Sequence, residues 1–184
     1  MTALIIIIVL IVLVAIFAVS IYNSLVQLRN QVKNAWAQIE VQLKRRHDLI
    51  PNLIETVKGY MKHERELLEN VTKYRSQAMD AGSVGEKAKA EGMLSGALGQ
   101  LRVQIENYPD LKANVNFLDL QNQLIEVEDQ LQYSRRYYNG TVRSYNIRVE
   151  SFPSNIVAGI FNFKTEEFFE ITLATERNSP TVKI

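Results

Sequence analysis

Residues Ala3 to Val19, ALIIIIVLIVLVAIFAV, form an unbroken apolar run of 17 residues, extended by Ser20, Ile21 and Tyr22. A helix rises 1.5 Å per residue, so about 20 such residues cross the ~30 Å hydrocarbon core of a bilayer. The run has no polar face, which argues against an amphipathic core helix. A secretory signal is the competing reading, with small residues at Ala18 and Ser20 around Val19. It lacks a basic segment ahead of the run, and the run exceeds the usual apolar stretch of roughly 7–15 residues. The sequence therefore predicts a transmembrane anchor over residues 1–22. Ala3, Leu4, Ile8, Leu13 and Phe17 carry it, and Tyr22 falls where interfacial aromatics are favoured.

No Lys or Arg precedes the span, whereas Arg29 and Lys33 follow it closely. The positive-inside tendency puts the N-terminus outside and the bulk of the chain in the cytoplasm, with a single pass through the membrane. Lys44-Arg45-Arg46 resembles a lipid-binding basic cluster. On a straight helix it would stand ~33 Å beyond Tyr22, about three Debye lengths from the headgroups, so a solvated place on the bundle rim is expected.

Beyond the anchor, apolar residues recur at steps of three and four: Val32, Trp36, Ile39, Leu43, then Arg46, Ile50, Leu53, Val57, Tyr60, Glu64, Leu67, Val71, Tyr74 and Ala78. That is a helical packing stripe. Met79 to Lys87 breaks it with two glycines and a serine, which predicts a turn. A second helix is expected from about Glu86 to Asn107, with Gly92, Gly96 and Gly99 tolerated through close packing. Pro109-Asp110 signals a third, from about Asp110 to Glu150. Gly140 interrupts that pattern, either as a bend or as a point of close approach. Ser154 or Asn155 could cap a short last helix through Ile160. The expected fold is all-α: the transmembrane helix continues into an elongated antiparallel bundle of three long helices plus a short C-terminal one. The helical domain is placed at 23–173 and a polar tail at 174–184.

Pro51 divides the possibilities. Three cations before it, Asp48 as a potential N-cap and a proline suited to a first turn favour a helix boundary, and hence a four-helix up-and-down bundle with a turn there. The stripe from Leu43 to Val57 keeps its spacing straight across the proline, which favours one long helix kinked at Pro51. The second reading is preferred.

Chemistry is sparse. There is no cysteine, which excludes disulfides, thiolate metal sites and Cys nucleophiles. The net charge of +1 offers no electrostatic case for nucleic acid. His47 and His63 lie 16 residues apart in sequence, far from the i, i+4 spacing that holds zinc on one helix. His47 and Asp48, being adjacent, point about 100° apart on a helix. No catalytic, cofactor-binding or metal-ligating residue is expected, and no cofactor. Tyr133 to Asn146, YSRRYYNGTVRSYN, is the most distinctive polar-aromatic block. Arg135, Arg136, Tyr137, Tyr138, Arg143, Tyr145 and Asn146, with Phe152 and Pro153, form a candidate interaction or packing block. Cation–π or anion binding is one reading of it. Packing is preferred, with Tyr138 and Tyr145 in the seam and the arginines solvated or paired.

Three segments carry a family resemblance: LRNQVKNAWAQIEVQLKRRHDLIPNLIETVKGYMKHERELLENVTKYRSQAM, ENYPDLKANVNFLDLQNQLIEVEDQL and SRRYYNGTVRSYNIRVESFPSNIVAGIFNFKTEEFFE. In that order they resemble the LemA family of bacterial membrane proteins over nearly the whole chain. Ser134 and Gly140 depart from the small residue and the helix former expected there. The resemblance implies a single-pass protein with a cytoplasmic all-α bundle and no established enzymatic activity. It also implies a membrane metalloprotease as a partner in membrane protein quality control.

The expected function is non-enzymatic: a membrane-anchored helical scaffold acting through self-assembly, as a coiled-coil-like homo-oligomer, or through partner binding. The alternatives are an adaptor of a membrane metalloprotease and an envelope sensor with an extracytoplasmic domain. The lipid bilayer is the one partner read directly from the residues.

Overall fold

The computed structural model describes residues 1–61 and 63–170. Among these residues the chain is all-α, with six helices and no strand: α1 (Thr2–Lys58), α2 (Arg65–Asp80), α3 (Val84–Ile105), α4 (Pro109–Lys112), α5 (Val115–Glu150) and α6 (Ser154–Ile160). The polar tail at 174–184, and the end of the domain placed at 173, lie outside the described residues.

The helices contribute to two compact units. Met1–Gln38 and Arg136–Glu167 form the first, and Ile39–Arg135 with the segment from Phe168 forms the second.

In the first unit, every residue of α1 from Thr2 to Phe17 is exposed, and the buried positions begin at Ile21 and Leu25. One helix is thus apolar all round for its first five turns and amphipathic afterwards. From Ile21 on, its inward stripe of Leu25, Val32 and Ala35 packs with Tyr138, Val142 and Tyr145 among the unit's buried residues. Trp36 and Tyr138 meet with ring centroids 5.3 Å apart. Asn146 ties down the segment after α6: its amide nitrogen donates to the Glu166 carbonyl and its amide oxygen accepts from the Glu166 N–H, both at 2.9 Å. The Tyr138 hydroxyl donates to the Glu167 carbonyl at 2.9 Å.

Burial, with smaller contributions from Glu166 and Glu167, raises the Tyr138 phenol to about 12. A raised phenol favours the folded state fully below the ordinary tyrosine value near 10. That contribution is lost as pH rises from there towards 12, because the unfolded chain releases the proton first. Spectrophotometric titration is therefore expected to show one tyrosine ionising late, with stability falling over that same window.

The second unit is built on Ile50, Leu53, Val57 and Met61 at the end of α1, Leu68 and Val71 in α2, Leu94, Leu101 and Ile105 in α3, then Leu111 and Phe117. A short turn at Ala81–Ser83 joins α2 to α3, and the two helices pack on each other. Ser83 opens α3 with a capping box: its hydroxyl accepts from the Glu86 N–H, and the Glu86 carboxylate accepts from the Ser83 and Gly82 N–H groups. Those backbone bonds hold the Glu86 carboxyl below the usual carboxylate range.

Several expected boundaries move. The stripe from Val32 to Ala78 is not one helix. It stops at Lys58, where Gly59 and Tyr60 turn the chain and the Tyr60 and Met61 N–H groups both bond the Val57 carbonyl. Glycine's backbone freedom outweighs the stripe at this point. Glu64, expected inside the stripe, precedes α2 and accepts from Tyr108 and Gln104. The Tyr108 hydroxyl lowers the Glu64 pKa. The helix expected from Asp110 is divided too, because Asn114 caps α5 by accepting from the Phe117 N–H at 3.1 Å. α6 has neither expected side-chain cap. The Ser154 hydroxyl donates back to the Arg148 and Ser151 carbonyls, closing the end of α5.

Gly140 lies inside an unbroken α5 and is exposed, and an added Cβ would meet nothing within 4 Å among the described residues. The close-approach reading fails there, and also at Gly96 and Gly99, which are equally open. Gly140→Ala is expected to stabilise α5 by roughly 0.8–1 kcal/mol through helix propensity alone, measurable by thermal unfolding in detergent.

Candidate functional site

Pro51 lies within α1, so the chain does not reverse there. A proline inside a helix has no N–H to give the carbonyl four residues earlier, and here that carbonyl belongs to His47. Arg75 of α2 fills the gap, its Nε donating to the His47 oxygen at 2.7 Å. The proline thus supplies an acceptor on α1 that α2 uses. Asp48, the other residue assigned to a boundary, caps nothing: it is exposed within α1 and pairs with Lys44 at 3.2 Å. Arg75→Met is expected to cost about 1.5–3 kcal/mol, the range for a hydrogen bond to a charged group. In a Pro51→Ala background the loss should shrink, since residue 51 then bonds the same carbonyl. A double-mutant cycle on unfolding free energies checks this coupling.

Around this contact lies the most concentrated polar cluster of the second unit. Glu91 of α3 is 0% exposed. Its Oε1 lies 2.6 Å from His47 Nε2, and its Oε2 accepts from Arg46 at 3.1 Å. The other Arg46 terminal nitrogen donates to Ser95 Oγ at 2.9 Å and pairs with Glu128 of α5 at 3.2 Å. Arg135, one helical stripe further along α5, lies close enough to Glu128, Arg46 and Glu91 to feel their charges. Burial lowers its pKa, its Nε and one terminal nitrogen have no hydrogen-bond partner among the described residues, and its guanidinium lies 5.4 Å from the centre of the Phe169 ring. Three helices, α1, α3 and α5, thus meet on one ionic network, and α2 joins it through the Arg75 bond to the His47 carbonyl.

The geometry limits its chemistry. Both Glu91 oxygens are occupied by basic groups, so the carboxylate is neutralised in place. Ser95 faces Arg46, while His47 faces Glu91, so no base is presented to the serine hydroxyl in the manner of an activated nucleophile. No group of three or more His, Asp or Glu suited to a metal occurs among the described residues. The cluster is built to fix helix register: breaking one partner leaves a buried charge, which disfavours slipped packings.

Beside it runs an open groove of ≈ 430 Å³ between α1, α3 and α5, floored by Leu53, Leu98, Leu101, Phe117 and Leu124, with Arg46, Arg102, Glu128 and Asp129 at its edges.

The expected sites separate. Ala3, Leu4, Ile8, Leu13 and Phe17 are exposed along α1, and Tyr22 stands at the start of the packed region. In the polar-aromatic block, Tyr138 and Tyr145 are buried in the first unit as seam residues, while Arg136, Tyr137 and Arg143 face outward. Asn146 is the clamp on Glu166, Phe152 projects outward, and Pro153 is half-buried and follows a cis peptide bond. Arg135 is not a freely solvated cation: it is half-buried, with Glu128 near enough to act on its charge. Nor is Arg46 on the rim: it is buried, while Lys44 and Arg45 are exposed, Arg45 gripping Glu126 at 3.1 and 3.3 Å. Glu91 was not foreseen. The signal was available, because Glu91 continues the α3 stripe of Leu94, Leu98, Leu101 and Ile105, as Arg46 occupies the α1 stripe.

The LemA family model matches residues 35–184. The chain is 30% identical to Protein LemA of Metamycoplasma hominis over 138 residues, 74% of this chain and 63% of that protein. It is 25% identical to Magnetosome protein MamQ 2 of Paramagnetospirillum magneticum over 175 residues, and 22% identical to Magnetosome protein MamQ of Magnetospirillum gryphiswaldense over 174. These cover 81% and 80% of this chain. The chain spans 63–64% of the length of these relatives.

Proposed function

The chain belongs to the LemA family, and from that premise we propose that it is a non-enzymatic, membrane-anchored helical scaffold that acts through self-assembly or partner binding. The observation that carries this reading is the change of character within α1. Residues 3–17 are apolar and exposed on every side, a stretch long enough, with its extension to Tyr22, to cross a bilayer. The same helix then buries a stripe against α5 without a break. Anchor and inward stripe of the first unit lie on one continuous helix, so whatever binds that unit is held close to the membrane. The span lies in the inner membrane, with the N-terminus outside and the bundle in the cytoplasm, following Arg29 and Lys33.

The open apolar groove beside the ionic network supports partner binding: it is concave, largely apolar and edged by both charge signs. The neutralised Glu91 and the unactivated Ser95 support a non-enzymatic role. Chemical cross-linking of cells carrying the full-length chain tests the reading. Ladders of the chain, or reproducible heteromeric adducts with a membrane protein, are expected. Monomer alone, with no co-purifying membrane protein, contradicts it.

A further inference from the structure

We infer that the α5–α6 corner, Phe152 to Phe161, is a second membrane contact that inserts its exposed apolar side chains among the lipids beside the anchor. The inference rests on the anchor reading of α1 and concerns the first unit alone.

The level of this corner along α1 follows from two contacts. Trp36 meets Tyr138, and Arg29, seven residues earlier on α1, acts on Tyr145, seven residues later on α5. The two helices are therefore antiparallel in a fixed register. Continued by fourteen residues from the Trp36–Tyr138 pair, that register sets Phe152 level with Tyr22. Tyr22 is the interfacial end of the anchor, so α5 ends where the bilayer begins.

The rings report the same placement independently. Phe161 lies 4.7 Å from Tyr22 and Phe163 lies 5.7 Å from it, centroid to centroid. Phe163, Val157 and Ala158 are buried and hold the corner to the bundle. The opposite side is apolar and uncovered: Phe152 is 81% exposed, Ile156 55%, Ile160 69% and Phe161 56%. Phe152, Ile156 and Ile160 recur every four residues. Residues 152–163, FPSNIVAGIFNF, contain no charged residue, while Arg148 and Glu150 precede them and Lys164, Glu166 and Glu167 follow.

An uncharged, aromatic-rich corner between charged flanks at headgroup level is the composition of an interfacial segment. A bilayer covers this face because the anchor beside it is already in one. A site on a second copy would not need the match in level with Tyr22.

The absence of native cysteine makes the test direct. Single substitutions Phe152→Cys, Ile156→Cys and Ile160→Cys, each spin-labelled, are placed in the full chain in phosphatidylcholine–phosphatidylglycerol vesicles. Leu13→Cys serves as the anchor reference. Ala37→Cys, about 22 Å along α1 from Tyr22, serves as the aqueous one. Accessibility to oxygen, which partitions into lipid, is compared with accessibility to a water-soluble nickel chelate. At least two of the three corner labels should show an oxygen-to-nickel ratio several-fold above Ala37→Cys and approaching Leu13→Cys. Ratios equal to Ala37→Cys, with Leu13→Cys in lipid, overturn the inference and leave the anchor intact. Corner labels shielded from both reagents overturn it in favour of a protein partner or second copy. A Leu13→Cys label in water removes the anchor reading, and the inference with it.

Discussion

Glu91→Ala is expected to destabilise the second unit by about 3–5 kcal/mol, the usual consequence of removing one member of a buried ion pair. The size follows from the geometry. The Glu91 carboxylate is fully buried between Arg46 and His47, and Arg46 is itself buried, retaining only the half-exposed Glu128 and the Ser95 hydroxyl once Glu91 is gone. Amide hydrogen exchange over α3 reads the effect, with protection expected to fall by roughly two to four orders of magnitude. Replacing the network by apolar groups, as in an Arg46→Met and Glu91→Leu double variant, should recover much of the loss, since the burial of charge disappears with the pair. A Glu91→Ala protein with unchanged exchange would show that the network does not hold these helices together.

Tyr138→Ala is expected to cost about 3–5 kcal/mol in the first unit, as large-to-small aromatic substitutions in a core do. Tyr138 is almost fully buried, packs on Trp36 and donates to the Glu167 carbonyl. The substitution therefore opens a cavity between α1 and α5 and frees the segment that Tyr138 and Asn146 hold. Tyr138→Phe keeps the ring and should cost only about 1 kcal/mol for the lost hydrogen bond. The chain contains a single tryptophan, Trp36, in contact with the substituted ring. Its fluorescence should shift to the red in Tyr138→Ala and stay close to the parent in Tyr138→Phe. Equal shifts in the two variants would assign the stability to the hydroxyl instead of the packing.

The helical architecture was legible because its causes are local and repeated. An apolar run of bilayer length and a stripe with steps of three and four declare a long apolar helix and a buried helix face wherever they occur. The break at Gly59 was hidden by that same regularity. The spacing Val57, Tyr60, Glu64, Leu67 continues across it, so only glycine's low helix propensity marked the end of α1. Asn114 was a capping residue in plain view, overshadowed by the stronger signal of Pro109. Pro51 resisted local reading for another reason. Its consequence is a free carbonyl at His47, and the group that satisfies it, Arg75, comes from a different helix.

The ionic network was half legible. Arg46 and Glu91 each stand on an apolar stripe, which marks a charge facing inward. That they face each other depends on how α1 and α3 pack, and no spacing within one helix encodes it. The polar-aromatic block drew attention through composition, and the fold dispersed it. Tyr138 and Tyr145 went to a core, Asn146 to a backbone clamp, Arg135 to the ionic network, and Phe152 to an exposed corner.

The most direct test of the scaffold account is the native mass of the 21.1 kDa chain released from membranes in intact lipid particles. The account predicts a discrete multiple of the chain mass, or a fixed stoichiometric complex with another membrane protein. A uniform population of single chains, unchanged with increasing protein density in the membrane, would contradict it.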